Sequence, residues 1–151
     1  MIAMDPQPLH ARFQCTPRHA TRARQAFRVY LALLHLDAKT EADLESALGE
    51  ALANVIEHGY AQDTFFELRC SMESGMLTIE IEDRGRGTEI AHKLERPELS
   101  RDFGFEIMRA LVDEVEFLKD GRLMRLRTKV RKPNRRPPAE EKSGATPAPT
   151  G

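Results

Sequence analysis

The sequence predicts an α/β (α+β) fold, a two-layer sandwich in which helices cover one face of a mixed, mostly antiparallel sheet. Two observations support this fold class. Segments that alternate apolar and polar residues, the period of a half-buried strand, are separated from segments with helical periodicity. Short turn signals join neighbouring strands, and the first two helices follow each other directly. The 151 residues are enough for one domain with a single core.

The N-terminal half predicts one strand and two helices. Residues 9–15 (LHARFQC) alternate as a strand, and Thr16 and Pro17 then supply an N-cap and a first helical position. This helix is expected to run to about Leu36. A second helix is predicted from Thr40, where Thr-x-x-Asp resembles a capping box, to Gly59. The residues expected on its buried face are Leu44, Leu48, Leu52, Val55 and Ile56.

The C-terminal half predicts two hairpins separated by a loop and a helix. Residues 64–72 and 76–83 alternate as strands on either side of a short turn. A polar loop follows, and residues 101–114 have helical periodicity. Residues 115–120 and 122–130 then predict two strands around the tight turn signal Asp120-Gly121.

Composition excludes several classes of protein. No apolar run approaches the roughly 18 residues of a membrane span, so no membrane association is expected. The N-terminus lacks the apolar stretch of a secretory signal, which indicates a cytoplasmic protein. Cys15 and Cys70 are isolated from each other and from any Cys/His cluster, so both are interpreted as small core residues rather than disulfide or zinc ligands.

Charge and proline content divide the chain into a flexible N-terminus (1–7), a globular domain (8–130) and a tail (131–151). The tail holds five of the nine prolines and five Lys or Arg residues against two Glu, and we expect it to be disordered. Its RKPNRR segment is either a nucleic-acid or partner patch or a solubilising tail. The globular part is acidic, which favours the interpretation of this segment as a solubilising tail and argues against direct nucleic-acid binding.

Glu50 and Asn54 lie one turn apart on the second helix, away from its apolar face and flanked by alanines. A carboxylate and an amide in this arrangement can supply a proton acceptor and an oxygen ligand for Mg²⁺. The alternative is that both are simply solvated residues on the flank of a helix.

Two further motifs are typical of ligand contact. Asp83 stands at the end of a strand, and Gly85 and Gly87 free the following backbone for close approach. Gly104 stands at the predicted start of a helix, where unpaired N–H groups attract an anion such as phosphate. Each motif by itself also fits an ordinary turn or helix start.

In combination, the order of these motifs resembles the GHKL ATP-binding family and its Bergerat fold. EALANVIEHGY (50–60) and IMRALVDEVEF (107–117) resemble the small bacterial anti-sigma factor serine kinases of the RsbW and SpoIIAB type. The resemblance covers about residues 8 to 130. It implies a cytoplasmic, ATP-dependent protein serine/threonine kinase that holds a sigma factor inactive.

The resemblance also implies a role for each motif. Glu50 is the implied general base for a serine hydroxyl, and Asn54 is the implied Mg²⁺ ligand. Asp83 is implied to accept a hydrogen bond from the adenine amino group. The other residues implied to contact ATP are Gly85, Gly87, Arg101, Gly104 and Phe105, with residues 88–100 as the lid over the nucleotide. His58 is expected to be mostly structural.

The partners implied are a sigma factor, an anti-sigma factor antagonist with a STAS domain that becomes phosphorylated, and a second copy of the chain. Two positions depart from the family pattern: Asp102 replaces a phosphate-loop glycine, and Arg122 replaces a threonine, for which Thr128 is only a distant substitute. These departures leave open a nucleotide-binding module without appreciable kinase turnover. A detached ATPase part of a histidine kinase is a third alternative, but no phosphoacceptor helix hairpin is present.

Overall fold

A computed structural model describes residues 5–58, 64–83 and 104–130 of the protein. The predicted tail (131–151) and lid (88–100) lie outside these residues, as does most of the predicted N-terminal segment. The described elements, in chain order, are β1 (Leu9–Gln14), α1 (Pro17–Leu34), α2 (Ala38–His58), β2 (Phe65–Glu73), β3 (Met76–Asp83), α3 (Gly104–Leu111), β4 (Glu114–Leu118) and β5 (Leu123–Lys129).

The five described strands form one sheet in the order β1-β2-β3-β5-β4. Every pairing between them is antiparallel, so the described part of the sheet contains no parallel pair. Consecutive strands pair in both hairpins, and β5 joins the two hairpins by pairing with β3. The α/β two-layer fold class predicted from the sequence is confirmed.

The inner face of the sheet is apolar and is covered by the helices. Alternate residues of each strand project to this face, as the pleat requires. Leu68, Ile81 and Leu126 are fully buried there against Leu31 of α1 and Leu48 of α2. Together these residues form one continuous core, and both Cys15 and Cys70 belong to it, as the sequence predicted.

The outer face of the sheet carries a network of ion pairs. Arg69 of β2 contacts Glu80 at 3.1 Å and Glu82 at 3.0 Å, and Arg125 of β5 contacts Glu80 at 2.7 Å. Burial opposes ionisation of both carboxyls, but hydrogen bonds from these arginines and Lys119 outweigh it and lower the pKa of Glu80 and of Glu82. The strands therefore alternate between an apolar inner face and a charged outer face.

The N-cap of α1 was predicted correctly. Thr16 has extended backbone angles, its side chain accepts a hydrogen bond from the N–H of His19, and Pro17 follows as the first helical residue. The helix ends at Leu34, slightly before the predicted Leu36. His35 terminates it in the left-handed region with φ 56°.

The predicted start of α2 at Thr40 is wrong, because the cap is Asp37. The Asp37 carboxylate accepts a hydrogen bond from the N–H of Thr40 at 2.7 Å, and the helix begins at Ala38. The Asp37 side chain therefore supplies the capping hydrogen-bond acceptor that the sequence predicted at Thr40. The predicted apolar face is confirmed, with Leu44, Leu48 and Leu52 at most 1% exposed.

Candidate functional site

Asp83 is a buried carboxylate at the end of β3 that faces the helices. It is 1% exposed and pairs across the sheet with Phe66, which is fully buried. Alternation along β3 places Asp83 on the same face as Ile79 and Ile81. A charged group at a core-facing position is uncommon and marks a candidate functional residue.

Arg122, noted from the sequence, lies near Asp83, together with two residues that were not identified from the sequence, Cys15 and Thr64. The Asp83 N–H donates to the carbonyl of Arg122 at 2.9 Å, and the Cys15 N–H donates to the carbonyl of Thr64 at 3.1 Å. Burial raises the pKa of the Cys15 thiol, a hydrogen bond with the Thr64 side chain lowers it, and the nearby Asp83 charge raises it. Only the sheet pairing brings Cys15 and Thr64 to Asp83, so no local sequence signal could have found these two residues.

Glu50 and Asn54 lie on α2 with partly exposed side chains. Ala51 is buried and Ala53 is exposed. Both lie between Glu50 and Asn54 in the chain, and their small side chains add little bulk beside the two polar groups. The helix packs against both α1 and α3, and more extensively against α3. A single rigid helix therefore presents both polar groups together.

Chain connectivity places Asn54 and Asp83 at the same end of the sheet. Only residues 59–63 separate the end of α2 from Thr64, which directly precedes β2. The start of β2 pairs with the end of β3 through Phe66 and Asp83. Because Asn54 lies in the last turns of α2 and Asp83 faces the helix layer, both groups belong to one end of the helix-covered side.

Gly104 is the first residue of α3 and is buried. Phe105 follows it, and its ring lies 5.5 Å from the ring of Phe117 in β4. The guanidinium of Arg109 also lies over the Phe105 ring. The Phe105 side chain thus anchors α3 on the sheet, which fixes the position of the helix N-terminus.

Several predicted site residues lie outside the described residues. These are Gly85, Gly87, Arg101, Asp102, Gly59, Tyr60 and the side chain of His58. Within the described ranges, no group of three or more His, Cys, Asp or Glu side chains is placed to hold a metal ion. No helix in those ranges is both long and apolar enough to span a bilayer.

The structure places the two residues considered for the missing threonine contact at different ends of the sheet. Arg122 lies beside Asp83, whereas Thr128 is buried on β5 opposite Leu77. Thr128 is five residues along β5 from Leu123, which pairs with Glu82 next to Asp83. At about 3.4 Å per residue this is roughly 17 Å, so Thr128 cannot replace a contact at Asp83.

The described site combines a buried aspartate at a strand end with an acid and an amide on the adjacent helix. A family model described as the histidine kinase-like ATPase domain matches residues 13–129. The chain belongs to this family. The resemblance noted from three short motifs is therefore confirmed over nearly the whole described part of the chain.

Within the family, the chain is similar to bacterial anti-sigma factors. It is 33% identical over 100 residues to the anti-sigma F factor of Clostridium botulinum (strain Alaska E43 / Type E3), covering 60% of this chain and 70% of that protein. The anti-sigma F factor of Caldanaerobacter subterraneus subsp. tengcongensis is 27% identical over 116 residues, 72% of this chain and 81% of that protein.

A solved structure of the RsbU and RsbW domains of a Mycobacterium tuberculosis protein has the same fold, with a TM-score of 0.67 and 25% identity. The match covers 86% of this chain and 34% of that chain. The protein therefore corresponds to about a third of the Mycobacterium chain.

Proposed function

We propose that the protein is an ATP-binding anti-sigma factor and protein serine kinase, which phosphorylates a STAS-domain antagonist of the anti-sigma factor. The observation that carries this proposal is the buried Asp83 carboxylate at the end of the sheet where the Glu50 and Asn54 helix also ends. Membership of the histidine kinase-like ATPase family and similarity to anti-sigma factors support it.

Asp83 recognises the adenine base in this proposal. Its carboxylate can accept a hydrogen bond from an exocyclic amino group, which adenine has at the position where guanine has a carbonyl. A base with a carbonyl at this position would bring a second acceptor to the carboxylate instead of a donor. Gly85 and Gly87 allow the base to approach the backbone closely.

The phosphates lie between α2 and the start of α3. The N-terminus of α3, which begins at Gly104, is the positive end of the helix dipole and favours phosphate, and Arg101 adds a positive charge. The Asn54 amide oxygen is a hard donor of the type that Mg²⁺ takes, together with phosphate oxygens and water. The donor set therefore fits a magnesium nucleotide, and Mg²⁺ would neutralise charge on the transferring phosphoryl group.

Glu50 orients the acceptor serine hydroxyl and takes its proton. The serine oxygen forms a bond to the γ-phosphorus, the bond between that phosphorus and the β–γ bridging oxygen breaks, and ADP leaves. Phosphoryl transfer needs alignment and charge neutralisation more than covalent help, so a carboxylate on a rigid helix is well suited to this role.

A partner-switching cycle follows from this chemistry. The protein binds a sigma factor and keeps it from RNA polymerase, and the unphosphorylated antagonist displaces the sigma factor. Phosphorylation then adds negative charge to the antagonist serine and releases it. The protein acts as a homodimer in this proposal, as the resemblance implies.

The direct test incubates the purified protein with γ-labelled ATP, Mg²⁺ and each purified STAS-domain protein encoded in the same genome. We expect label on one serine of one STAS protein, and loss of transfer without Mg²⁺. Binding of ATP and of the STAS protein without any labelled serine would contradict the kinase assignment.

Asp102 favours one alternative, a nucleotide-binding module that sequesters a regulatory partner without appreciable kinase turnover. A carboxylate near the phosphates repels them unless it points away or helps to hold the metal. The same assay separates the two functions. In the alternative, ATP changes the affinity for the partner and phosphate transfer is absent.

A further inference from the structure

Glu82, the residue before Asp83, ties the end of β3 to the elements on both sides of it. Its side chain is 9% exposed on the outer face of the sheet. Arg69 of β2 contacts one carboxylate oxygen at 3.0 Å, and Lys119 of the turn between β4 and β5 contacts the other at 2.9 Å. Because both oxygens are held from opposite sides, the two cations restrict rotation of the Glu82 side chain.

Backbone hydrogen bonds connect the same turn to Asp83. The Asp83 N–H donates to the carbonyl of Arg122 at 2.9 Å, and the Arg122 N–H donates to the carbonyl of Lys119 at 3.1 Å. The Arg122 Nε donates to that carbonyl as well, at 3.2 Å. Together with the ion pair between Lys119 and Glu82, these bonds form a closed ring of four residues, the Lys119 ring. The ring encloses the peptide bond between Glu82 and Asp83.

The turn that carries Lys119 has an unusual backbone. Lys119 and Asp120 have φ angles of 53° and 58°, and Gly121 has 85°. Left-handed angles are unfavourable for a residue with a Cβ atom, although Asp adopts them more often than Lys does. Glycine adopts such angles without steric cost, but it cannot make the contact with Glu82. The lysine therefore gives the turn an interaction that the residue best suited to its backbone would lack.

The position of Asp83 relative to β5 depends on this turn. Towards β2, Asp83 still pairs with Phe66, but towards β5 the paired register ends with Glu82 opposite Leu123. The hydrogen bond to the Arg122 carbonyl extends the contact by one residue, into the turn. A carboxylate that reads a base must bring its oxygen to about 2.7–3.2 Å from the amino nitrogen. Small displacements of the strand end are therefore enough to weaken recognition.

We infer that Lys119 is a positioning residue for the Asp83 carboxylate and thereby a determinant of adenine selection. Its ammonium lies with Glu82 on the outer face, whereas Asp83 faces the helices, so Lys119 acts through the backbone of the ring. The inference rests on the proposed function for the role of Asp83 in recognising adenine. Direct attraction between the ammonium and phosphates would favour ATP and GTP equally, whereas a displaced Asp83 changes the ratio of their affinities.

The first test removes the ammonium with Lys119→Met and measures the Kd of ATP and of GTP by calorimetry. We expect the preference for ATP to fall at least threefold, through weaker ATP binding at unchanged GTP binding. Lys119→Arg keeps a cation and should restore the preference. The matched control Arg125→Met removes a cation that contacts Glu80 at 2.7 Å in the same network, and it should leave the preference unchanged.

The second test separates the ion pair from the stability of the turn. Lys119→Gly relieves the left-handed backbone but also loses the contact with Glu82, so it should unfold at a higher temperature than Lys119→Met and show the same reduced preference for ATP. In a Glu82→Gln background, Lys119→Met should change the preference little further, because the two residues act as one pair. A wild-type preference in Lys119→Gly would overturn the positioning role.

Amide hydrogen exchange tests the ring without any nucleotide. The Asp83 N–H should exchange at least threefold faster in Lys119→Met than in the wild type, because the ring that closes over its hydrogen bond is open. In Arg125→Met it should exchange at the wild-type rate. Nuclear magnetic resonance of the free protein measures both rates.

The outcomes separate the positioning role from the proposed function. A wild type that prefers ATP, with the same preference in Lys119→Met or with an equal loss of ATP and GTP affinity, overturns the positioning role and leaves the proposed function intact. A wild type that binds neither nucleotide overturns the proposed function. Faster exchange at Asp83 in Lys119→Met then still supports the ring as the contact that fixes Asp83, and unchanged exchange overturns it.

Discussion

At the scale of single residues, Asp83 is the least expected feature of the core. Burying a carboxylate is costly unless its charge is compensated, and an apolar residue at this position would match Ile79 and Ile81. The proposed role in adenine recognition would account for a carboxylate at this position. Glu50 and Asn54 differ from Asp83, because their partly exposed side chains cost the fold little and leave them accessible.

The role of Glu50 is tested by Glu50→Gln. We expect this variant to bind ATP as the wild type does and to transfer phosphate about 10²-fold more slowly or worse, because the amide cannot accept the serine proton. Single-turnover phosphorylation of the STAS protein measures the rate. Wild-type turnover from Glu50→Gln would show that another group, or none, acts as the base.

At the scale of elements, helix α2 depends on its cap at Asp37. Hydrogen bonds from the Thr40 N–H and side chain hold the pKa of the Asp37 carboxyl below its usual value. We expect Asp37→Ala to lower the melting temperature more than Thr40→Ala does. Circular dichroism of the two variants measures this difference. A larger effect of Thr40→Ala would restore the capping box that the sequence suggested.

Local sequence signals were sufficient to predict the bounds of some elements but not of others. The predicted bounds of β3 are those observed. The alternation of its residues, the turn at Gly75 before it and Asp83 at its end all indicate the same segment. The start of α2 was misplaced because both Asp37 and Thr40 can act as N-caps, and only the geometry chooses between them. The strand order, the hydrogen bond of Asp83 with Arg122 and the proximity of Asp83 to Cys15 depend on long-range pairing, which no short stretch of sequence encodes.

At the scale of the whole molecule, the two faces of the sheet stabilise the fold in different ways. Its inner face contributes apolar burial, and its outer face contributes a network in which Arg69 and Lys119 both hold Glu82. Isolated surface ion pairs contribute little, but partly buried pairs that share members are worth more. Because the ion pairs cross several strands, they support the sheet as a unit.

The network predicts sensitivity to acid. The folded-state pKa of Glu82 is below 4.5, so its contribution is present above that pH and is lost as the pH falls through the folded pKa. We expect Glu82→Gln to lower the free energy of unfolding by about 1–2 kcal/mol at pH 7. The difference from wild type should shrink at pH 3. Urea titrations at both pH values measure it.

Glu73→Gln is the control for this prediction, because Glu73 is exposed at the end of β2. It should change the free energy of unfolding little at either pH. If Glu82→Gln destabilised the protein equally at pH 7 and pH 3, the effect would come from packing and the electrostatic explanation would be wrong.

The central claim is that Asp83 and Asn54 bind opposite ends of one magnesium nucleotide. Calorimetric titration of ATP, with and without Mg²⁺, into the wild type, Asp83→Asn and Asn54→Ala tests this most directly, with Asp43→Asn, at a partly exposed position of α2, as the control. We predict that Asp83→Asn weakens ATP binding at least tenfold under both conditions. Asn54→Ala should remove only the enhancement by Mg²⁺. Wild-type titrations from both variants would contradict the account.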